Sequence, residues 1–167
     1  MNALVAYDSM YGNTGKIAEA IASAIGPQGE VQLLKVDEVG PEQWAGLTLL
    51  VVGCPTQKFS PTAATTRFLK SLPNNGLQGV RVAAFDTRFT ESEIGKVRIL
   101  AFFVSLFGYA AEPIAGRLKK KGGIQAVPPE GFYVGGTEGP LLEGELERAK
   151  AWAREIARQE SQPAPQV

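Results

Sequence analysis

The sequence predicts a doubly wound α/β domain: a five-stranded parallel sheet with helices on both faces. Three observations lead there. Short β-rich apolar runs alternate with helical stretches along the chain. The run Leu47 to Val52 is apolar except for Thr48, as a strand buried on both faces requires. The 167 residues carry no internal repeat and no linker, so residues 1–160 are expected to form one domain around one core.

The elements follow in order. The first strand is Ala3–Asp8, and it starts too early to leave room for a basic region and a cleavage site. A helix runs from about Thr14 to Ile25, since Ile17, Ile21 and Ile25 recur every four residues and Gly26-Pro27 stops it. Strands follow at Val31–Val36 and Leu47–Gly53. The next helix begins where Ser60 can act as N-cap with Pro61 at the first helical position. The fourth strand is Val80–Asp86, and the fifth lies at Ile124–Val127, resuming at Phe132–Val134 after the turn Pro128-Pro129-Glu130-Gly131. The last helix presents Leu142, Leu146, Ala149, Ala153 and Ile156 on one face, opened by Pro140, with Glu143 and Glu145 at the positive end of its dipole. The tail, residues 161–167, has two prolines and no apolar pattern and is expected to be disordered.

Composition removes several function classes. Lys plus Arg and Asp plus Glu are both 17, which leaves no excess positive charge for a nucleic-acid backbone; Lys119-Lys120-Lys121 is too short to form a footprint. With 0 histidines, Ser-His-Asp and Cys-His catalysis and most zinc chemistry lack their central residue, and no catalytic or metal-ligating set is expected. The single cysteine, Cys54, can make neither an intrachain disulfide nor a thiolate cluster, which fits a reducing, cytoplasmic location. The longest uncharged stretch, Ile99 to Ala111, falls short of the roughly 20 residues that span a bilayer.

In doubly wound sheets ligands sit at the carboxyl ends of the strands, so those loops carry the chemistry. After the first strand comes Asp8-Ser9-Met10-Tyr11-Gly12-Asn13-Thr14, small and hydroxyl-rich, entering a helix. Such a loop can wrap its N–H groups round a phosphate, with Ser9, Thr14 and the helix dipole adding to the site. An ordinary turn with Thr14 as helix cap is the alternative. A nucleotide-triphosphate loop fails on spacing: Met10 stands where a glycine is needed and Ile17 where a Ser or Thr is needed.

These residues resemble the flavodoxin signature, an aromatic residue, a Ser or Thr, a small residue, a Thr and a helical alanine at fixed intervals. Tyr7, Ser9, Gly12, Thr14 and Ala18 fill those places, and Ile21 follows; Ala6 departs where a larger apolar residue is usual. The resemblance implies a sheet of order 2-1-3-4-5 with FMN at its edge, and Ser9, Met10, Tyr11, Gly12, Asn13 and Thr14 round its phosphate. In the loop Gly53-Cys54-Pro55-Thr56-Gln57-Lys58-Phe59 it implies cofactor contacts from Pro55, Thr56, Gln57 and Phe59. Thr56 would face the ribityl chain and Phe59 the isoalloxazine, with a core position for Phe59 left open. Cys54 reads as a small buried residue, since no base activates it. From Asp86, Thr87, Arg88 and Phe89 it implies further cofactor contacts, in which Phe89 stacks on the ring, Thr87 bonds the pyrimidine edge and Arg88 brings a cation near flavin N1 and O2. Arg88 pairing with Glu91 or Glu93 is the alternative. The loop Gly135-Gly136-Thr137-Glu138-Gly139-Pro140 resembles an edge-lining loop of the family. A phospho-receiver domain is excluded, because Gly53-Cys54 stands where its aspartate belongs.

Two features depart from the family. The chain is neutral where flavodoxins that shuttle electrons are strongly acidic. The run 97–109 adds apolar bulk after the fourth strand, with Ser105 the only polar residue after Arg98. It reads as core or homodimer interface, or as a docking surface for a partner, a quinone or a membrane. The expected function is therefore FMN-binding electron transfer with a redox partner protein or quinone. An oxidoreductase acting on a quinone or protoporphyrinogen is the alternative, and a cofactor-free interaction module is the third reading.

Overall fold

A computed structural model describes residues 1–57, 60–90 and 109–160. The strands are β1 (Asn2–Tyr7), β2 (Glu30–Lys35), β3 (Leu49–Pro55), β4 (Arg81–Phe89), β5 (Ile124–Gln125) and β6 (Glu130–Val134). The helices are α1 (Asn13–Ile25), α2 (Ala63–Ser71), α3 (Ala111–Lys120) and α4 (Glu145–Glu160). All ladder pairs are parallel, in the order β2-β1-β3-β4-β5, with β6 also paired to β4. β5 and β6 lie end to end along one side of β4, opposite Arg81–Val82 and then Phe85–Phe89. They form the expected fifth strand in two pieces, because Pro128 and Pro129 between them have no N–H to give a ladder.

Alternation along the strands sorts the core into two layers. On one face Ala3, Val5, Leu49, Val51, Ala83 and Phe85 pack against Ile17, Ile21 and Ile25 of α1 and Ala149, Trp152, Ala153 and Ile156 of α4. On the other Leu4, Leu50, Val52, Cys54, Val82 and Ala84 pack against Phe68 and Leu69 of α2 and Ile114 and Leu118 of α3. Both layers come from single strands, which is why β1, β3 and β4 read as continuous apolar runs.

Several boundaries differ from expectation: β4 runs past Asp86 to Phe89, because Thr87, Arg88 and Phe89 pair with Phe132, Tyr133 and Val134 of β6. The cap of α2 is Thr62, whose hydroxyl accepts from the Thr65 N–H, and not Ser60; Ser60 instead bridges back to Gln57. α4 begins at Glu145, and Leu142 and Leu146 are 38% and 41% exposed, so neither belongs to the core. Residues before the helix are drawn into sheet-like pairing instead: Leu141 bridges Val134 and the Leu142 N–H donates to the Tyr133 carbonyl. Gly144, at φ 83, then turns the chain into the helix.

The tail 161–167 and all of the apolar run 97–109 but Tyr109 lie outside the described residues. No helix among the described residues is long and apolar enough to cross a membrane.

Candidate functional site

The carboxyl ends of β1, β3, β4 and β6 converge round the N-terminus of α1. Gly12 starts that helix at φ 86, a left-handed conformation a side chain resists, and it offers no capping side chain. Ser9 supplies a substitute, its hydroxyl accepting from the Gly15 N–H at 3.2 Å. The Ser9 N–H is taken by the Asp8 carboxylate. The N–H groups of Met10, Tyr11, Gly12, Asn13 and Thr14 find no acceptor among the described residues. They form a row of donors at the positive end of a helix dipole, a setting that favours an anion. Since the Ser9 oxygen accepts from Gly15, its own hydrogen is left to donate outward. Met10 and Tyr11 project as large exposed side chains beside this row.

Two long-range bonds hold the first turn of α1. Thr14 Oγ1 lies 2.8 Å from Thr87 Oγ1, and Asn13 Nδ2 donates to the Glu138 carbonyl at 2.9 Å. The expected edge-lining loop therefore packs against the first loop. Gly139 makes this approach possible: at φ 105, a Cβ there would come within 2.6 Å of Asn13 Nδ2.

At the end of β3 the expected contacts are partly spent within the protein. Thr56 Oγ1 accepts from the Ala110 N–H at 3.0 Å, and the Thr56 N–H donates to the Thr87 carbonyl. Gln57 pairs through its backbone with Ser60 and donates to Met10 Sδ at 3.4 Å; Pro55 ends the strand half-buried. Phe59 lies outside the described residues. Cys54 is fully buried, and burial pushes its thiol up to about 12. The native protein is therefore expected to resist a thiol-reactive dye at neutral pH and to react only after denaturant is added. Rapid native labelling would contradict that burial.

β4 sends its residues to opposite faces. Phe85 and Thr87 face α1, while Asp86 and Arg88 face α3. Asp86 has no exposed surface; its carboxylate binds Arg88 Nε and Nη2 at 2.5 and 2.8 Å and accepts the Ala111 N–H at 2.8 Å. Burial raises the Asp86 pKa above the usual carboxylate range against the pull of Arg88. Burial also works against the charge on Arg88, but Asp86 more than offsets it and Arg88 stays a cation. The guanidinium lies 3.7 Å over the Tyr109 ring, and exposed Glu112 is 3.9 Å away. Arg88 thus pairs with Asp86; Glu91 and Glu93 lie outside the described residues. Phe89 closes the strand half-buried, opposite Val134.

Sequence reasoning missed Tyr109, the Ala110 and Ala111 amides, and the use of Asp86 as their anchor. One signal was available: a strand period of 2 places Asp86 and Arg88 on one face. Among the described residues no group of His, Cys, Asp and Glu is arranged to hold a metal ion.

A family model described as Flavodoxin matches residues 5–152. No curated protein sequence matches the chain. Among solved structures, a flavodoxin from the domain Archaea is 23% identical, covering 97% of this chain and 100% of its own, with a TM-score of 0.73. Oxidised Flavodoxin 2 from Bacillus cereus is 22% identical, with 95% and 99% covered and a TM-score of 0.74. The rubredoxin oxygen:oxidoreductase of Desulfovibrio gigas is 21% identical; 96% of this chain aligns with 36% of that longer one, at a TM-score of 0.71.

Proposed function

The chain belongs to the flavodoxin family, whose members bind FMN, and from that premise we propose that it carries electrons between redox partners on one FMN held at the α1 end of the sheet. The observation that carries this reading is the row of open amides from Met10 to Thr14 at the helix N-terminus. A phosphate monoester brings the acceptor oxygens those donors lack. The residues present therefore fit the phosphate end of FMN.

FMN supplies the redox chemistry, and the protein's own part is binding, orientation and electrostatics. The amides of Met10, Tyr11, Gly12, Asn13 and Thr14 and the Ser9 hydroxyl hold the phosphate, while Asn13 through its side chain keeps the Glu138 loop beside them. By the family resemblance, Pro55, Thr56 and Gln57 would approach the ring system from the end of β3 and Phe89 from the end of β4. Arg88 carries no net charge into the site, because Asp86 neutralises it within 2.5 Å. Its role is to hold Tyr109 and the strand end rather than to bring a free cation near flavin N1. The family match supports electron transfer over an enzyme acting on a quinone or protoporphyrinogen.

Titrating the purified protein with FMN and with riboflavin tests this. One FMN per chain is expected, bound more tightly than riboflavin. Ser9→Ala is expected to cost about 1–3 kcal/mol of FMN affinity, because a charged phosphate oxygen loses a donor. Riboflavin binding as tightly as FMN would remove the phosphate from the α1 N-terminus.

A further inference from the structure

We propose that the open edge of β2 pairs with the same edge of a second copy of this chain, joining two sheets antiparallel about a two-fold axis at Gln32. The two edges of the sheet differ. On the β6 side Gly131, Tyr133 and Gly135 turn away from β4, and the protein occupies them. The Tyr133 N–H donates to Glu145 Oε2 and its carbonyl accepts the Leu142 N–H; Arg148 Nη2 donates to the Gly131 carbonyl. The Gly131 N–H donates to Glu130 Oε1, and the Gly135 N–H to the Pro140 carbonyl. β5 turns out only Gln125, too short a stretch to receive a strand.

β2 is open. The Glu30 and Val36 N–H groups donate to the Met1 and Tyr7 carbonyls, so the even-numbered residues face β1 while Val31, Leu33 and Lys35 face away. Lys35 is held: its N–H donates to Glu38 Oε2 and its carbonyl accepts the Glu38 N–H, both at 3.0 Å. Val31 and Leu33 keep N–H and C=O unpaired among the described residues, and such an edge is a template for another strand.

These free groups select the occupant and its register. Opposed residues of an antiparallel pair exchange both of their bonds. Setting Val31 against Leu33 of the second copy, and Leu33 against its Val31, satisfies every open group at once. A shift one way brings Lys35, already held by Glu38, opposite Val31. A shift the other way brings Gly29, whose N–H is held by the Gly26 carbonyl, opposite Leu33. In the remaining register Gln32 meets its own copy, Glu30 lies opposite Leu34, and Lys35 lies opposite Gly29, so no like charges face each other. Val31 and Leu33, half-buried against the α1 layer, each gain an apolar neighbour on the same face. The interface is isologous, as a two-fold requires. Because the paired strands run in opposite directions, the two candidate sites point away from each other and both stay open.

Sedimentation of the wild type is expected to show reversible dimerisation with a dissociation constant on the order of 10–100 µM, as suits a small interface. Gln32→Lys should abolish it, since two ammonium groups then meet at the axis, and so should Gln32→Glu, whereas an equal mixture of the two variants should dimerise again. Gln32→Cys gives a second readout. Opposed residues at a position that is not hydrogen-bonded have Cα atoms about 4.5 Å apart, within disulfide range. A mild oxidant should therefore convert this variant to a covalent dimer, while Lys35→Cys, about 20 Å from its own copy, stays monomeric. Cys54 is buried and does not compete. A wild type that remains monomeric up to about 1 mM would overturn the proposal. So would a dimer that survives Gln32→Lys, or one that cross-links through Lys35→Cys and not through Gln32→Cys.

Discussion

Replacing Arg88 with methionine is expected to destabilise the protein by about 3–5 kcal/mol, since it strands the fully buried carboxylate of Asp86. The Arg88 side chain is itself only 12% exposed, so the pair gets little of the solvent screening that makes surface ion pairs weak. The Ala111 N–H remains to Asp86 in the variant, but one neutral donor does not replace a bidentate guanidinium. Replacing both residues, Asp86→Leu with Arg88→Met, should cost less than the single change, because no charge is then left in the core. Urea unfolding of the three proteins checks this, and a single-variant loss under about 1 kcal/mol would mean that the pair is solvated.

The same variant carries a pH signature. Asp86 already sits above the usual carboxylate range through burial, and without Arg88 it moves further up. Between the unfolded and the folded pKa, the native state holds a proton that the unfolded chain has released. The stability contributed by this group is therefore complete below the unfolded carboxylate pKa and is lost as pH rises towards the folded value. Arg88→Met should recover stability relative to wild type as pH is lowered from neutrality towards the ordinary carboxylate pKa of about 4. A constant difference across that range would show that Asp86 does not take up the proton.

Gly53→Ala is expected to have an effect of comparable size from sterics alone. A Cβ on Gly53 falls within the ring of Phe85, its neighbour across β3 and β4. That ring is wedged edge-on against Phe132 and Trp152, with centroids 6.1 and 6.3 Å away, so it cannot swing aside. The expected cost is at or above the upper end of the roughly 1–3 kcal/mol usual for overpacking, a large share of the about 5–15 kcal/mol that holds a domain together. Adding Phe85→Leu should recover part of it. A thermal midpoint within about 1 °C of wild type for Gly53→Ala alone would refute the clash.

Hydrophobic period and local turn chemistry were enough to place the strands in order with α1, α2 and α4 between and after them, but they did not announce α3, whose Ile114 and Leu118 complete the second core layer. Leu49 to Val52 had to be central because every residue is apolar, and Ile17, Ile21 and Ile25 had to face the sheet because they are spaced at one helical turn. The pause at Pro128-Pro129 was equally legible, since proline cannot donate to a ladder. The loop from Ser9 to Thr14 announced itself through residue types whose chemistry acts at short range. Other features required the tertiary structure. Thr14 meets Thr87 across 73 residues and Asn13 meets Glu138 across 125, distances over which no local pattern carries information. Arg88 had several carboxylates within reach along the chain, and only the burial of Asp86 beneath α3 selects the partner. The start of α4 was misread for the same reason: Leu142 fits a helical stripe, but its N–H is claimed by the Tyr133 carbonyl once β6 lies beside it. Short-range periodicity decides which face of an element is buried, whereas a hydrogen bond between distant segments depends on where the assembled core leaves a donor and an acceptor together.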